Sequence, residues 1–80
     1  MIHNYYGIYD SVAKSYCYIG ESKSNETFAR MCEIMAKDDG TFLGQSPEDY
    51  KGYHIAKFND ETGTFESIEP DKVWEGKPHE

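Results

Sequence analysis

The sequence predicts an α+β fold in which two β-hairpins form a small antiparallel sheet and one helix packs on it. Strand-like runs joined by polar turns occupy residues 2–21 and the region around 53–68. Between them, residues 24–40 carry apolar side chains at helical spacing. The order is therefore β-β-α-β-β, and the simplest layering places the apolar stripe of the helix against one face of the sheet.

The first hairpin joins "IHNYYGIYD" (2–10) to "SYCYIGE" (15–21) through a short turn. Side chains alternate between the two faces of a strand, so each face has its own composition. One face carries a mainly aliphatic set, Tyr6, Ile8, Cys17 and Ile19. The other face carries the tyrosines, Tyr5, Tyr9, Tyr16 and Tyr18. We expect the aliphatic face to lie against the helix and the tyrosine-rich face to lie away from it.

The helix is predicted over residues 24–40, "SNETFARMCEIMAKDDG". Ser24 or Asn25 can cap its N-terminus, and Gly40 is a natural C-terminal stop. Its apolar stripe follows the i, i+3, i+4, i+7 spacing of one helix face. The stripe consists of Phe28, Met31, Cys32 and Met35.

The second hairpin is predicted in "YHIAKFNDETGTFE" (53–66), because residues on the two sides of its turn can be matched as cross-strand pairs. A four-residue loop that ends at Gly63 sets the register, because glycine readily adopts a positive φ there. Cross-strand pairs stabilise a hairpin by about 0.2–1 kcal/mol each. The facing pairs are then Asn59 with Thr64, Phe58 with Phe65, Lys57 with Glu66, and Ile55 with Ile68. The preceding residues 41–52 are predicted to be a loop in which Pro47 begins one short helical turn.

Domain organisation follows from the length of 80 residues, which allows one domain with a thin core. We predict that residues 1–68 form this α+β domain. Residues 69–80 are polar, acidic and interrupted by Pro70 and Pro78, and we predict a mostly mobile tail. We also expect a homodimer, because a second copy would cover an apolar face that one small layer leaves open.

The net charge of −7 is unevenly distributed along the chain. Residues 1–37 hold four basic and four acidic side chains, whereas residues 38–80 hold four basic and eleven acidic ones. An acidic protein repels nucleic acid, so a nucleic-acid site has to use the first half. The acidic second half is a solvated surface, a tail that competes with DNA, or a nucleic-acid mimic that occupies a basic partner.

The sequence favours no catalytic or metal chemistry. It contains neither a glycine-rich phosphate loop followed by lysine nor a nucleophile motif, so we expect no enzyme and no cofactor. Cys17 and Cys32 are expected to be free, buried thiols, and together with His54 they lack the short spacing of a zinc site. Without a membrane-spanning run or a signal sequence, we expect the protein to remain in the cytosol.

Four segments in fixed order carry a resemblance to a known family: "IYD" (8–10), "FARMC" (28–32), "SPEDY" (46–50) and "YHIAKFNDETG" (53–63). Together they resemble the small nonstructural protein of gokushovirus-type microviruses, which are small phages with circular single-stranded DNA genomes. The ordered set carries the resemblance, which covers residues 5–66. The chain departs from the family at residues 17–20, where a proline-rich step is common, and at Cys32, where phenylalanine is frequent.

The resemblance implies a DNA-binding protein of phage replication in the host bacterial cytoplasm. Such a protein binds progeny single strands and helps the switch from duplex replication to single-strand synthesis or packaging. The resemblance supplies no catalytic residues. It leaves phage or host replication proteins as further partners.

The candidate DNA-binding residues combine tyrosines that stack on bases with basic side chains that contact phosphates. They are Tyr5, Tyr9, Lys14, Tyr16, Tyr18, Lys23, Arg30 and Lys37. The competing interpretation is that the tyrosines pack a second core or a dimer interface. Arg30 could equally form a helix-surface ion pair with Glu26 or Glu33. In the alternative function, the acidic half engages a phage or host replication factor without binding DNA.

Overall fold

In the computed structural model, which describes residues 1–79, four antiparallel strands form one sheet in the order β2-β1-β3-β4. One helix lies between the second and third strands, so the predicted α+β class and β-β-α-β-β order are confirmed. The strands are β1 (Ile2–Asp10), β2 (Ser15–Ser22), β3 (Tyr50–Asn59) and β4 (Thr64–Glu75). The helical segments are α1 (Asn25–Ala36), the short α2 (Phe42–Gln45) and a 3₁₀ turn (Pro47–Asp49).

The two hairpins are joined through their inner strands. Strands β1 and β3 pair along their whole length, from Ile2 opposite Asn59 to Asp10 opposite Tyr50. This pairing connects residues about fifty positions apart, so the whole segment between β1 and β3 forms a long connection that returns to the same sheet. This connection contains α1, which therefore packs against one face of the sheet.

Next to its turn, the second hairpin has the predicted register. The observed pairs are Asn59 with Thr64, Phe58 with Phe65, and Lys57 with Glu66. Gly63 has a φ of 72°, as the loop requires. The predicted pairing of Ile55 with Ile68 is wrong, because the register shifts between His54 and Ala56. A β-bulge of this kind leaves the extra residue outside the regular ladder.

The core lies between α1 and one face of the sheet. The ring of Tyr6 stacks on Phe28 with centroids 4.7 Å apart, and its hydroxyl donates to Asn25 Oδ1 at 2.8 Å. Gly52 leaves room for this stack, since a Cβ there would lie 2.7 Å from the Phe28 ring. The buried apolar residues are Tyr6, Ile8, Phe28, Cys32, Ala36, Leu43 and Trp74.

Helix α1 begins near the predicted position but ends four residues earlier than predicted. The Ser24 hydroxyl caps the N-terminus by accepting the N–H of Thr27 at 3.1 Å. All four residues of the predicted apolar stripe lie in or against the core. At the other end, the Thr41 hydroxyl donates to the Met35 carbonyl at 2.6 Å, which satisfies one of the last helical carbonyls. Gly40, the predicted stop, lies beyond the helix in the following loop.

The C-terminal residues correct the predicted boundary at residue 68. Strand β4 continues to Glu75, and Trp74 is buried, with its Nε1 donating to Glu33 Oε1 of the helix at 2.9 Å. Pro70 does not end the strand, because β4 is an edge strand and no neighbour needs the missing N–H. Residues 69–75 are therefore part of the sheet and not a mobile tail that can compete with DNA.

Gly76 provides a test of this correction. A Cβ at Gly76 would lie only 1.8 Å from the backbone oxygen of Pro47, so Gly76→Ala has to displace the main chain. We expect it to lower the free energy of unfolding by at least about 2 kcal/mol in urea titrations. The matched control Gly40→Ala meets only a flexible Asp38 carboxylate at 3.2 Å and should change stability by less than about 0.5 kcal/mol. Equal stability of the two variants would restore the interpretation of a mobile C-terminus.

Candidate nucleic-acid interface

The face of the sheet away from α1 is aromatic, and we call it the open face. Residues that pair across antiparallel strands point to the same side, so the register assigns each side chain to a face. Tyr6 and Ile8 point toward the helix, which leaves their neighbours in β1 on the open face. The large side chains of the open face are His3, Tyr5, Tyr9, Tyr16, Ile19, Tyr53, Ile55, Phe58 and Phe65.

One aromatic cluster occupies the end of the open face near the β3–β4 turn. The rings of Phe58 and Phe65 have centroids 4.6 Å apart, and Tyr5 meets Phe65 edge-on at 5.5 Å. His3 lies 6.3 Å from Phe58. Phe65 is 65% exposed, which leaves much of its ring available for contact.

The second aromatic cluster occupies the other end of the open face. Tyr16 meets Tyr9 and Tyr53 edge-on, with centroids 5.3 and 6.1 Å apart. Tyr16 lies across Gly7 of β1, where a Cβ would come within 2.8 Å of its ring. Glycine at this position therefore allows Tyr16 to lie close to the sheet, while the ring stays 44% exposed.

The structure brings together three of the four predicted tyrosines. Tyr5, Tyr9 and Tyr16 lie on the open face, but Tyr18 faces Ile8 and therefore points toward the helix side. The cause is a register shift between Ile8 and Tyr9, which leaves Cys17 unpaired in β2. One inserted residue reverses the faces of all residues that follow it. The same shift moves Ile19 to the open face, opposite Gly7, so the predicted faces of β2 are wrong after Cys17.

Of the four predicted basic residues, only Lys14 lies at an end of the sheet that carries predicted tyrosines, next to the pair Tyr9 and Tyr16. Lys23, Arg30 and Lys37 belong to α1 or its ends, on the helix side of the sheet. Lys14 lies in the turn between β1 and β2 with a φ of 59°. Within residues 1–79, Arg30 forms neither of the ion pairs that its spacing suggested, and Glu33 instead accepts the Trp74 N–H.

Two lysines that sequence patterns did not select lie on the open face. Lys51 faces Tyr9, and Lys72 faces Tyr53. Lys72 Nζ is 2.6 Å from Glu75 Oε1, and the hydrogen bonds from Lys72 and Lys77 lower the pKa of Glu75 to about 2. Glu75 is therefore ionised at neutral pH, and it also lies opposite Lys51 across β3 and β4, so it partly neutralises both lysines of the open face.

The open face also includes Tyr53, Phe58 and Phe65, which the sequence-based site omitted. The hairpin pairing had already placed Phe58 and Phe65 on one face. What the sequence could not give was the pairing of β1 with β3, which brings this hairpin beside Tyr5 and Tyr9. The missing information was therefore a long-range contact, which no local pattern encodes.

A polar clamp, formed by Met1, His3, Glu21 and Asp60, closes one end of the sheet. His3 Nδ1 lies 2.5 Å from Glu21 Oε2, and His3 Nε2 lies 2.7 Å from Asp60 Oδ2. Hydrogen bonds to Asp60 and then to Glu21 raise the pKa of His3. The N-terminal ammonium, 2.8 Å from Asp60 Oδ1, and then His3 lower the pKa of Asp60. The clamp ties β2, β1 and the β3–β4 turn together.

The clamp predicts a pH dependence of stability. Because the folded pKa of His3 is raised, its contribution is complete below about pH 6.5 and is lost as pH rises through the folded value. Because the folded pKa of Asp60 is lowered, its contribution is present above about pH 3.9 and is lost as pH falls through the folded value. We expect His3→Gln to destabilise the protein more at about pH 5.5 than at about pH 8.5 in urea titrations.

The control for this prediction is the same substitution in an Asp60→Asn background. There the difference between the two pH values should shrink, because one of the two carboxylates that hold the His3 proton is gone. An equal effect of His3→Gln at both pH values would show that the clamp does not depend on the protonated imidazole.

The cysteines and the other potentially reactive side chains of residues 1–79 form no reactive cluster. Cys32 is buried, and burial raises its pKa to about 12, so its thiol is not a nucleophile at neutral pH. The expectation of a buried Cys17 is wrong, because this thiol is exposed on the edge strand. Among residues 1–79, no group of three or more histidine, cysteine or acidic side chains is placed to hold a metal ion. No helix in that range is long and apolar enough to cross a membrane.

Comparison with known proteins gives one finding, which concerns nearly the whole chain. No curated protein and no solved structure matches the sequence significantly. A family model with the description "Phage ORF5 protein" matches residues 3–77, a range that includes α1 and, except for Ile2 at the start of β1, all four strands.

Proposed function

The chain belongs to the phage ORF5 protein family, and from this premise we propose that it binds single-stranded DNA through the open face during phage replication. The proposal includes the finer assignment to gokushovirus-type microviruses and a place in the host bacterial cytoplasm. Its role is to bind progeny strands and so favour single-strand synthesis or packaging over further duplex replication. The proposal assigns no catalytic step to the protein.

The observation that carries the proposal is the pair of exposed aromatic clusters on a sheet face that neither helix covers. Bases of a single strand can stack on aromatic rings, and each such contact is worth about 1–3 kcal/mol. Tyr16 and Phe65 present 44% and 65% of their surface, one in each cluster. A duplex keeps its bases stacked on one another, so the open face favours single strands.

Charge sets the expected strength and salt dependence of this binding. The net charge of −7 opposes approach to DNA, and the open face offers Lys51 and Lys72 for phosphate contacts. Two such contacts give a slope of log K against log salt of about −1.4 for a single strand. Contacts from the four lysines and arginines of the first half would instead give about −2.8. The slope therefore distinguishes an open-face site from the site first predicted from the sequence.

A second candidate function is favoured by the exposed carboxylates of the β4 edge. Glu66, Glu69 and Asp71 are exposed there, and the β3–β4 turn adds Asp60 and Glu61. This acidic edge suits a basic protein partner, such as a phage or host replication factor. In that function the protein would engage its partner without binding DNA, and the aromatic clusters would have no nucleic-acid ligand.

The test of the proposed function is fluorescence anisotropy with labelled single-stranded and double-stranded oligonucleotides. The titrations run from about 20 to about 200 mM salt. We expect the single strand to bind more tightly, with a shallow salt slope. A folded protein that binds neither oligonucleotide at the lowest salt would contradict the proposal and favour the acidic interaction module.

A further inference from the structure

An apolar groove of about 440 Å³ lies on the open face, beside Gly7 of β1. Gly7 faces Ile19 across β1 and β2, and a Cβ at Gly7 would lie 3.3 Å from the Ile55 side chain. The missing side chain at Gly7 therefore allows its neighbours to lie close to the sheet, with Ile19 beside them. The groove is lined by Tyr16, Cys17, Tyr18, Ile19 and Ile55.

The groove lies between the two aromatic clusters of the open face. In β1, Gly7 is midway between Tyr5 and Tyr9, and these two tyrosines belong to different clusters. Alternate residues of a strand point to the same face and are roughly 7 Å apart. A single strand whose bases stack on both clusters therefore has to cross the groove, and the base between the stacked ones meets it.

The charge distribution of the open face separates the groove from the phosphate contacts. None of the five lining residues is charged, so the groove offers no cation to a phosphate. The lysines of the open face, Lys51 and Lys72, belong to β3 and β4, whereas four of the five lining residues belong to β2. The groove therefore suits the uncharged part of a nucleotide, which is the base.

The polar side-chain groups of the lining residues leave little to read the polar edge of a base. The Cys17 thiol donates to the Ile8 carbonyl at 3.5 Å. The Tyr18 ring lies over Gly20 on the helix side, where a Cβ at Gly20 would collide with its hydroxyl end. The Tyr16 hydroxyl alone cannot form the bidentate contact that distinguishes one base from another. Discrimination in this groove therefore depends on apolar contact.

We propose that the groove receives one base of a bound single strand and prefers thymine, whose C5 methyl group contacts Ile19 and Ile55. Thymine presents this methyl group, and apolar side chains recognise it by contact. The inference rests on the proposed function and deepens it, because it names thymine-rich single strands as the preferred ligand. Ile19 is 65% exposed, so a methyl group placed against it covers apolar surface that is otherwise in water.

Fluorescence anisotropy with two matched single strands tests the proposal on the full chain. Thymidine and deoxyuridine oligonucleotides of about eight nucleotides share a backbone and the polar edges of their bases, and differ only in the C5 methyl group. We expect the thymidine strand to bind at least about threefold more tightly, as burial of one methyl group implies. Equal affinities would overturn the inference and leave the proposed function standing, whereas binding of neither strand would overturn both.

Two variants distinguish the groove from the aromatic clusters, where a methyl group also adds buried area to a stacked base. Ile19→Thr keeps a β-branched side chain in an exposed position and should bring the two affinities close to equality, mainly by weakening the thymidine strand. Phe65→Ala should weaken both strands and leave their ratio unchanged. The matched control Ile34→Thr, on α1 at 64% exposure, should change neither affinity. A thymidine preference that survives Ile19→Thr, or that Phe65→Ala abolishes, would contradict the groove.

Discussion

Phe28→Ala is expected to remove most of the stability of this protein. Phe28 is 1% exposed, stacks on Tyr6 and fills the space that Gly52 leaves above β3. Truncating a buried phenylalanine to alanine destabilises by about 3–5 kcal/mol. An 80-residue domain is stable by roughly 4–12 kcal/mol in total, and small domains lie near the lower end.

Thermal unfolding followed by circular dichroism measures this effect. A loss of that size lowers the melting temperature of a domain this small by roughly 12 to 40 °C. The control Ile34→Ala removes an apolar side chain from the same helix at a position that is 64% exposed, and should shift stability by less than about 0.5 kcal/mol. If Phe28→Ala melted like the control, the packing of α1 on the sheet would have to be different.

Replacing Tyr16 and Phe65 together by alanine is expected to weaken binding to single-stranded DNA at least about 30-fold, because each stacked base contributes about 1–3 kcal/mol. The two rings belong to different aromatic clusters, so their contributions should add. Both side chains are exposed, which limits the effect of the double substitution on folding. Anisotropy with a labelled single strand gives the two dissociation constants.

Tyr18→Ala is the matched control for this prediction. Tyr18 was predicted to be a DNA-binding residue, and it is 36% exposed, but the β-bulge at Cys17 turns it toward the helix side. We expect Tyr18→Ala to change DNA affinity less than about threefold, which is under 1 kcal/mol. A loss at Tyr18→Ala as large as that of the double variant would show that DNA does not bind through the open face.

Local rules were sufficient for the order β-β-α-β-β and for the turn of the second hairpin, but they missed α2 and the C-terminal part of β4. The loop that ends at Gly63 and the pairs beside it are fixed by interactions within a few residues of one another. The same holds for the start of α1, where the Ser24 hydroxyl serves as the cap. These features depend on propensity and spacing, which are properties of the sequence itself.

The errors arose where a single residue or a distant contact decides the structure. The unpaired Cys17 reverses the faces of the rest of β2, and the alternation of side chains gives no sign of such an insertion. The polarity of the C-terminal residues predicts a mobile tail, but Trp74 donates its Nε1–H to Glu33 of α1, and Gly76 donates its N–H to the Tyr50 carbonyl at 3.0 Å. Those contacts join residues that are far apart in the sequence, so no local pattern predicts them.

The candidate site could likewise be predicted from the sequence only in part. Tyrosines at alternating positions correctly indicated an aromatic face, but three of the four basic residues assigned to it, Lys23, Arg30 and Lys37, lie in α1 or at its ends. The order β2-β1-β3-β4 brings Lys51, Tyr53 and Phe65 into the face instead. Strand order depends on which hairpins meet, and this is a property of the whole chain.

The measurement that tests the central claim most directly is the mapping of single-stranded DNA on the protein by nuclear magnetic resonance. Titration of a labelled sample with a short thymidine oligonucleotide would follow backbone amides and aromatic side chains together. The open-face site predicts the largest shifts at Tyr5, Tyr53 and Phe65, with little change along α1. Shifts centred on Lys23, Arg30 and Lys37, or no shifts at all, would contradict it.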